Sequence, residues 1–178
     1  LRVDFNVPIS GGRVSDTTKI EKLETNIKHL LDNNCKVILA SHLGRPQKNG
    51  KTGLSLLPVK QMAEKIFNQQ IKFLEINQET TTKIAQGKEK LFMLENLRFD
   101  PNEESNGQDY AKLLASFADI YINEAFSCSH RSHASIESIT KFIDAYAGST
   151  IIDEVNALEK VFSKSEKPVA CLIGGSKI

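Results

Sequence analysis

The sequence has almost no net charge, few cysteines and no long hydrophobic run, and each shortage excludes a class of protein. Lys and Arg number 23 against 22 Asp and Glu, so the net charge is +1. Proteins that bind nucleic acid through phosphate contacts are usually more basic. No apolar stretch approaches the roughly 20 residues of a membrane-spanning helix. We therefore expect neither nucleic acid nor a membrane as a partner. The 178 residues, 40% of them hydrophobic, favour one globular domain with a small addition.

The cysteines and the chain ends indicate where and in what form the protein exists. Cys35, Cys128 and Cys171 are odd in number and far apart, which argues against a disulfide framework and favours a reducing compartment. With no secretory leader before the first strand, we expect a cytoplasmic protein. The chain starts at Leu1 without a methionine and ends at Ile178 after an apolar run and a glycine turn. An apolar strand without a partner is an edge that proteins avoid, so we expect a fragment of a longer chain.

Short apolar runs alternate with segments of helical period. This pattern predicts an α/β fold, an open, doubly wound parallel sheet with helices on both faces. The predicted strands cover residues 1–3, 36–40, 71–74, 91–94 and 120–122, with a last strand after Pro168. The predicted helices cover residues 19–31, a segment beginning near Pro58, and residues 79–86, 109–117, 135–143 and 152–162. Thr18 and Glu21 have capping-box spacing at the start of the first helix. In the last helix we expect Val155, Leu158, Glu159 and Phe162 to face alternately inward and outward.

Polar and charged residues follow the ends of four predicted strands. They are Asp4 and Asn6, then Ser41, His42 and Arg45, then Glu95, Asn96 and Arg98, and finally Asn123, Glu124, His130, Arg131 and His133. Open α/β sheets bind ligands beyond the carboxyl ends of their strands. The arginines and histidines on this rim predict a site for a small, highly charged anion, because the planar arginine fork binds carboxylate or phosphate through two parallel hydrogen bonds. One such residue alone could simply occupy a turn, so the prediction depends on all four strand ends together.

Lys19 has two interpretations. At the first turn of a helix the macrodipole disfavours a cation by about 0.3–1 kcal/mol. A bound anion would reverse that penalty, whereas the simpler alternative is a solvated surface lysine.

Several other motifs fail on their spacing. The segment from Gly44 to Thr52 resembles a nucleotide P-loop, but five residues separate its glycines where the motif needs four. No Gly-x-Gly-x-x-Gly follows the first strand, and no Gly-x-Ser-x-Gly elbow of a hydrolase occurs. Cys128, His130 and His133 could ligate zinc. Arg131 lies among them and no fourth ligand is evident, so we interpret these histidines as anion donors or loop hydrogen-bonders.

Five motifs occur in one order along almost the whole chain. They are LRVDFNVP (1–8), SHLGRP (41–46), LENLRF (94–99), HRSHAS (130–135) and GGSK (174–177). Together they resemble the amino-terminal half of the phosphoglycerate kinase family. The resemblance implies a glycolytic transferase of two domains, a kinase that moves a phosphoryl group between 1,3-bisphosphoglycerate and ADP to give 3-phosphoglycerate and ATP. It implies a phosphoglycerate-binding domain at 1–150 with its first residues missing, an interdomain helix at 151–166, and the first strand of a truncated nucleotide-binding domain at 167–178.

The resemblance also implies roles for individual residues. Asp4 and Asn6 would hold the hydroxyl and carboxylate end of the glycerate, and Lys19 would face the transferring phosphoryl group. The phosphate would be surrounded by His42, Arg45, Arg98 and Arg131. Phe5, Leu43, Gly44 and His130 complete the expected substrate-binding set. Gly175 and Lys177 would stabilise the phosphoryl group during its transfer.

The resemblance places the remaining ligands outside this segment. Mg²⁺ would be bound with ATP or ADP on the missing domain, this segment would bind no metal, and the protein would be a monomer.

The sequence departs from the family pattern at three places. Lys19 stands where the family has an arginine, which keeps the charge but loses the bidentate fork. Glu124 stands where the family usually has Asp, and Ser127-Cys128-Ser129 replaces a Gly-Thr-Ala run. Two alternatives therefore remain. One is a non-catalytic phosphoglycerate-binding half, an inactive isolated fragment, if the chain truly ends at Ile178. The other is a structural or interaction protein that keeps the kinase fold, which only Lys19 favours and which the retained site residues argue against.

Overall fold

The computed structural model describes residues 1–46, 50–163, 170, 172 and 174. Its strands are β1 (Ile9–Ser10), β2 (Arg13–Val14), β3 (Val37–Leu39), β4 (Lys72–Leu74), β5 (Leu91–Leu94), β6 (Ile120–Asn123) and β7 (Asp144–Ala147). Its α-helices are α1 (Thr18–Glu21), α2 (Glu24–Asp32), α3 (Leu57–Phe67), α4 (Thr80–Gln86), α5 (Pro101–Glu104), α6 (Gln108–Ala115) and α7 (Ser149–Ser163). Short 3₁₀ turns cover Leu97–Phe99, Phe126–Cys128 and Ser138–Lys141.

A parallel sheet forms the centre of the fold. Strands β3, β5 and β4 pair in that order, and β6 pairs with β7. Arg2 joins the two parts through parallel bridges to Ala40 and Asn123. The resulting order is β7, β6, the segment around Arg2, β3, β5 and β4. The chain leaves the Arg2 segment towards β3 but later crosses to β6 on its other side. This reversal creates the kind of crevice where open α/β sheets bind ligands.

The two faces of the sheet pack against different helices. Successive strand residues point to opposite faces. In β5, Leu91 and Met93 join a core cluster with residues of α1, α2 and α3, whereas Phe92 and Leu94 join a second cluster with residues of α4 and α6. All four β5 residues are buried, as expected for a strand that helices cover on both sides. The predicted α/β, doubly wound parallel sheet is confirmed.

The predicted helix at 19–31 is interrupted, because α1 and α2 are separate helices. The predicted capping box is wrong. Thr18 lies inside α1, and its hydroxyl donates to Asp16 Oδ1 at 2.7 Å. Ile20, Leu23 and Ile27 are nevertheless all buried. The apolar spacing therefore predicted the buried face of this segment but not the break in it.

The hairpin of β1 and β2 and the strand β7 were not predicted from the sequence. Strands β1 and β2 form an antiparallel hairpin that turns through Gly11 and Gly12, both with positive φ, as a type I′ turn requires.

The predicted helix at 135–143 is wrong, since only the 3₁₀ turn Ser138–Lys141 forms there and β7 follows it. All four β7 side chains are exposed, so this edge strand lacks the apolar pattern of a buried one.

Helix α7 begins earlier than predicted and exposes apolar side chains. The predicted alternation of inward and outward positions is wrong, because Val155, Leu158 and Phe162 are all exposed. The predicted strand after Pro168 lies outside the described residues. Within the described part of the chain, no helix combines the length and the apolar character needed to cross a membrane.

Candidate anion site

Asp4 and Asn6 lie where the first strand segment ends, and both are joined to Lys19. Lys19 Nζ lies 2.8 Å from Asp4 Oδ2 and donates to the Asn6 carbonyl at 3.2 Å. Ser127 Oγ donates to the same Asp4 oxygen at 2.6 Å. Burial alone would raise the pKa of Asp4, but the hydrogen bonds from Lys19 and Ser127 outweigh it and hold that pKa below its ordinary value. Lys19 is thus part of a charged cluster rather than an isolated surface lysine.

The loop after β3 is held against the loop after β5. Asn96 Oδ1 accepts from the Leu43 amide at 3.1 Å, and Asn96 Nδ2 donates to the Leu43 carbonyl at 2.8 Å. Arg98 Nη1 donates to the Gly44 carbonyl at 2.8 Å, and the Gly44 amide donates to Asn6 Oδ1 at 3.0 Å. Gly44 has φ +60°, and a Cβ there would lie 2.7 Å from Leu54 Cδ2. Glycine at this position lets the loop bring three strand ends together.

Arg98 is buried beneath this loop. Its Nε lies 3.3 Å from Glu104 Oε1. Burial lowers the pKa of Arg98 and the Glu104 carboxylate opposes that effect. Because arginine titrates far above neutral pH, Arg98 keeps its charge in the site.

His42 is 4% exposed and lies in a strongly positive field. Burial, followed by the charges of Arg2 and Arg98, lowers the pKa of His42 to about 2. Burial disfavours any charge, but the positive charges of Arg2 and Arg98, which add to the shift, would attract an anion. His133 has the same character, since burial and the charge of Arg98 lower its pKa to about 4.

Asp4, His42 and Cys128 each offer a possible metal-ligating atom, and these atoms lie within 4.8 Å of one another. The donor set does not fit Mg²⁺, which prefers oxygen ligands in octahedral geometry. The charges of Arg2 and Arg98, which together with burial lower the pKa of His42, also oppose a divalent cation. This cluster is therefore better suited to an anion than to a metal.

The other predicted site residues fall into three groups. Arg45, His130 and Arg131 are exposed on the loops of this rim, and the charge of Arg131 contributes to the lowered pKa values of Arg98 and His133. The Phe5 and Leu43 side chains are buried in the core, where they position the backbone. Gly175 and Lys177 lie outside the described residues.

Three groups that contact or support the predicted site residues could not be predicted from the strand-end pattern. Arg2 lies behind His42, Ser127 binds Asp4, and a buried Glu103 binds Ser135 through Oγ at 2.6 Å and the amide at 3.0 Å. An arginine inside an apolar strand was the available signal, because a buried charge needs partners.

Glu124 connects the site to helix α7. Its carboxylate accepts from the Ser149 amide at 3.2 Å, the Thr150 amide at 2.8 Å and Asn26 Nδ2 at 3.2 Å. A Cβ on Gly148 would lie 2.1 Å from Glu124 Cδ. The Glu124 side chain therefore caps the helix through space that Gly148 leaves open.

A cleft of about 700 Å³, to whose lining Arg2 and Ser135 also contribute, is bounded mostly by apolar side chains such as Leu30, Ile38 and Leu114. It lacks the convergence of charged groups found at the carboxyl edge of the sheet.

The fold and this site define an α/β protein with a doubly wound parallel sheet and a cluster of cationic side chains at its switch point. The family model "Phosphoglycerate kinase" matches residues 1–178. The chain belongs to the phosphoglycerate kinase family.

Individual relatives agree with this assignment. The chain is 44% identical over 181 residues to the phosphoglycerate kinase of Wolbachia sp. subsp. Brugia malayi, covering 100% of this chain and 45% of that protein. It is 39% identical over 183 residues to that of Finegoldia magna, covering 100% of this chain and 46% of that protein. A solved phosphoglycerate kinase from Coxiella burnetii superimposes with a TM-score of 0.81 at 28% identity, over 94% of this chain and 42% of that chain. The chain thus spans slightly less than half the length of the curated relatives it matches.

Proposed function

We propose that the intact protein is a glycolytic phosphoglycerate kinase that transfers a phosphoryl group between 1,3-bisphosphoglycerate and ADP, and that this segment binds the phosphoglycerate. The observation that carries the proposal is the meeting of Asp4, His42 and Arg98 from three strand ends at the switch point. Phosphoryl transfer requires mainly positioning and neutralised charge. A phosphorylated three-carbon acid, with negative charge at both ends, matches a rim of this composition.

Each group has a defined part in this proposal. Asp4 accepts from the hydroxyl and Asn6 orients the carboxylate end of the glycerate, while Arg98 and His42, with the exposed Arg45 and Arg131, bind the phosphate. Phe5, Leu43, Gly44 and His130 belong to the loops that shape this pocket. Lys19, paired with Asp4, would neutralise charge on the transferring group.

The rest of the reaction belongs to parts of the protein beyond the described residues. Gly175 and Lys177 remain proposed contributors to transfer. Mg²⁺ would enter with ATP or ADP on a nucleotide-binding domain that begins near residue 167, and it would supply charge neutralisation of the phosphates. The exposed apolar residues of α7 support its role as an interdomain helix with further chain packed against it. We propose a cytoplasmic monomer.

Binding of 3-phosphoglycerate to the intact protein, measured by calorimetry, tests the substrate assignment. Arg131→Met removes a charge-assisted bond and should weaken binding by about 10-fold or more. Lys83→Met, which removes an exposed lysine paired with Glu79, is the matched control and should leave affinity unchanged. Equal affinity for inorganic phosphate and 3-phosphoglycerate, or indifference to Arg131→Met, would contradict the assignment.

Intact mass of the natural protein separates the two forms of the proposal. A mass near twice 19.8 kDa predicts turnover in a coupled ATP assay. A mass near 19.8 kDa predicts phosphoglycerate binding without turnover, the alternative of a binding half.

Lys19 offers a test of the catalytic part. Arginine has a bidentate fork that lysine lacks, and one charge-assisted hydrogen bond made only in the transition state corresponds to about 10- to 100-fold in rate. Lys19→Arg should therefore raise the turnover of the intact enzyme. An unchanged or lower turnover would show that Lys19 does not limit the reaction.

A further inference from the structure

Arg2 divides its hydrogen bonds among three partners beneath the site. The side chain is buried, with the residue 1% exposed. Nε donates to Ser135 Oγ at 2.9 Å, Nη1 donates to the Val3 carbonyl, and Nη2 lies 3.1 Å from His42 Nδ1. Each arm of the guanidinium is thus directed at a different group, and the orientation of the plane is fixed.

The contact with His42 determines which ring nitrogen carries the proton. A guanidinium has only donors, so the nitrogen that faces it must supply a lone pair. Nδ1 of His42 is therefore unprotonated. The thiol of Cys128, with Sγ 3.9 Å from the same nitrogen, can also donate to it. In a neutral ring the proton must then be on Nε2.

The surroundings of the ring keep it neutral. The titratable and charged groups that act on it are Arg2 from the first strand segment, Asp4 from the loop after it, Arg98 from the turn after β5, and Cys128 and His133 from the loops after β6. Only the Asp4 charge favours protonation, and burial with the two arginines outweighs it, so that the pKa of His42 falls to about 2.

The buried carboxylate of Glu103 holds Arg2 in place through Ser135. Ser135 Oγ, which accepts from Arg2, donates in turn to Glu103 Oε1 at 2.6 Å, and the Ser135 amide donates to Glu103 Oε2 at 3.0 Å. Glu103 is fully buried. Its charge offsets that of Arg2 through the serine, so turning the guanidinium away would cost the bond to Ser135 and weaken this compensation.

We propose that Arg2 is a positioning residue that fixes His42 as a neutral hydrogen-bond donor, with Nε2–H presented to the phosphate of phosphoglycerate. This inference rests on the proposed function and deepens it by assigning the chemical form of one ligand group. His42 then recognises the phosphate by a directed hydrogen bond, while the arginines supply the charge.

Long-range ¹H–¹⁵N correlation spectra of the histidine rings in the intact protein test the tautomer directly. We expect His42 to show a protonated Nε2 and an unprotonated Nδ1, unchanged from about pH 8 to about pH 5, across the ordinary histidine range. The exposed His29 is the internal reference for a solvated ring. A His42 ring with protonated Nδ1, or with two exchanging tautomers, would overturn the proposal without any variant being made.

Variants then test whether Arg2 sets this form. Arg2→Met combined with Glu103→Gln removes both buried charges together, which avoids leaving either one alone. We expect mixed tautomers and 3-phosphoglycerate affinity lower by about 10-fold or more. Arg2→Lys, checked first for a dispersed spectrum, keeps the charge but not the fork. If only the charge of Arg2 matters, Arg2→Lys will keep the wild-type affinity for 3-phosphoglycerate even where the His42 tautomers are mixed. If the position of the guanidinium matters, Arg2→Lys will lose affinity whenever the tautomers are mixed.

Two neutral replacements of His42 test whether its Nε2–H is the hydrogen-bond donor to the phosphate. The amide nitrogen of Gln reaches about as far as Nε2, whereas that of Asn corresponds to Nδ1. His42→Gln should bind 3-phosphoglycerate more tightly than His42→Asn, and the reverse order would contradict the proposal. If the wild-type tautomer is as expected but 3-phosphoglycerate does not bind, the proposed function fails and the assignment to phosphoglycerate fails with it. If 3-phosphoglycerate binds but the tautomers are mixed, only the role of Arg2 fails.

Discussion

The candidate site has two sides that hold their charges differently. The buried side consists of Arg2, His42 and Arg98, each less than 5% exposed and fixed by short hydrogen bonds. The exposed side consists of Lys19, Arg45 and Arg131, all on the surface. A charge in a low-dielectric interior is costly unless it is partnered, whereas one in water costs little and contributes little to stability. We infer that the buried side tolerates few substitutions, while the exposed side can accept changes such as lysine for arginine at position 19.

The largest expected effect follows from breaking the buried side. Glu103→Ala leaves the Ser135 donors unsatisfied and the Arg2 charge without its counter-charge. We expect the free energy of unfolding to fall by about 3–5 kcal/mol, measured by urea denaturation. Asp32→Ala, which breaks the exposed pair with Lys28, is the control and should change it by no more than about 0.5 kcal/mol. Similar losses in both variants would remove the distinction between the two sides.

Acid should destabilise the buried side. His42 has a pKa of about 2 in the folded chain against an ordinary value of 6.5. Below about pH 6.5 His42 therefore binds a proton in the unfolded chain but not in the folded chain, so the free energy of unfolding falls as pH falls. His133, with a folded pKa of about 4, acts in the same direction. Over the two pH units below 6.5, His42 alone should account for about 2–3 kcal/mol.

Urea unfolding at a series of pH values measures this dependence. His42→Gln should flatten the curve in that range, and His29→Gln, at an exposed position, should leave it intact. A curve that is equally steep without His42 would assign the acid sensitivity to other groups.

A smaller effect is expected where the site meets helix α7. Gly148→Ala places a methyl group against the Glu124 carboxylate and displaces it from the Ser149 and Thr150 amides. Loss of a helix cap costs about 0.5–2 kcal/mol, and hydrogen exchange of these two amides should rise. In a Glu124→Ala background the cap is already absent, so Gly148→Ala should cost much less. Additive costs would show that the two residues act independently.

The smallest effect on stability is expected on the exposed side. Lys19→Met removes the ion pair with Asp4, in which the lysine side chain is 46% exposed. We expect the free energy of unfolding to change by less than about 1 kcal/mol, while 3-phosphoglycerate affinity falls. A large loss of stability here would mean that Lys19 is a structural residue rather than a ligand group.

Elements whose pattern reflects burial could be predicted from the sequence. The run Leu91–Leu94 is a strand because apolar side chains on both of its faces need cover. Strand β7 could not be predicted, because its exposed side chains carry no apolar signal. The break between α1 and α2 was also missed, since the buried stripe formed by Ile20, Leu23 and Ile27 continues across it.

The same division holds for the site. Asp4, Asn6, His42 and Arg98 follow strands, and parallel strands end at one edge of a sheet, so their meeting could be predicted. Arg2 was missed because it lies within a strand rather than after it. Its partners Ser135 and His42 are distant in sequence, 133 and 40 residues away.

The layer architecture and the residue types at the carboxyl edge follow from the order of residues along the chain, because burial period and strand ends are local properties. Three contacts depend instead on the folded chain: Arg2 faces Nδ1 of His42, Ser127 shares Asp4 with Lys19, and Glu124 caps helix α7. These contacts join residues tens of positions apart. They depend on distances of about 3 Å, which are set by the packing of the whole sheet and its helices rather than by any pattern within one segment.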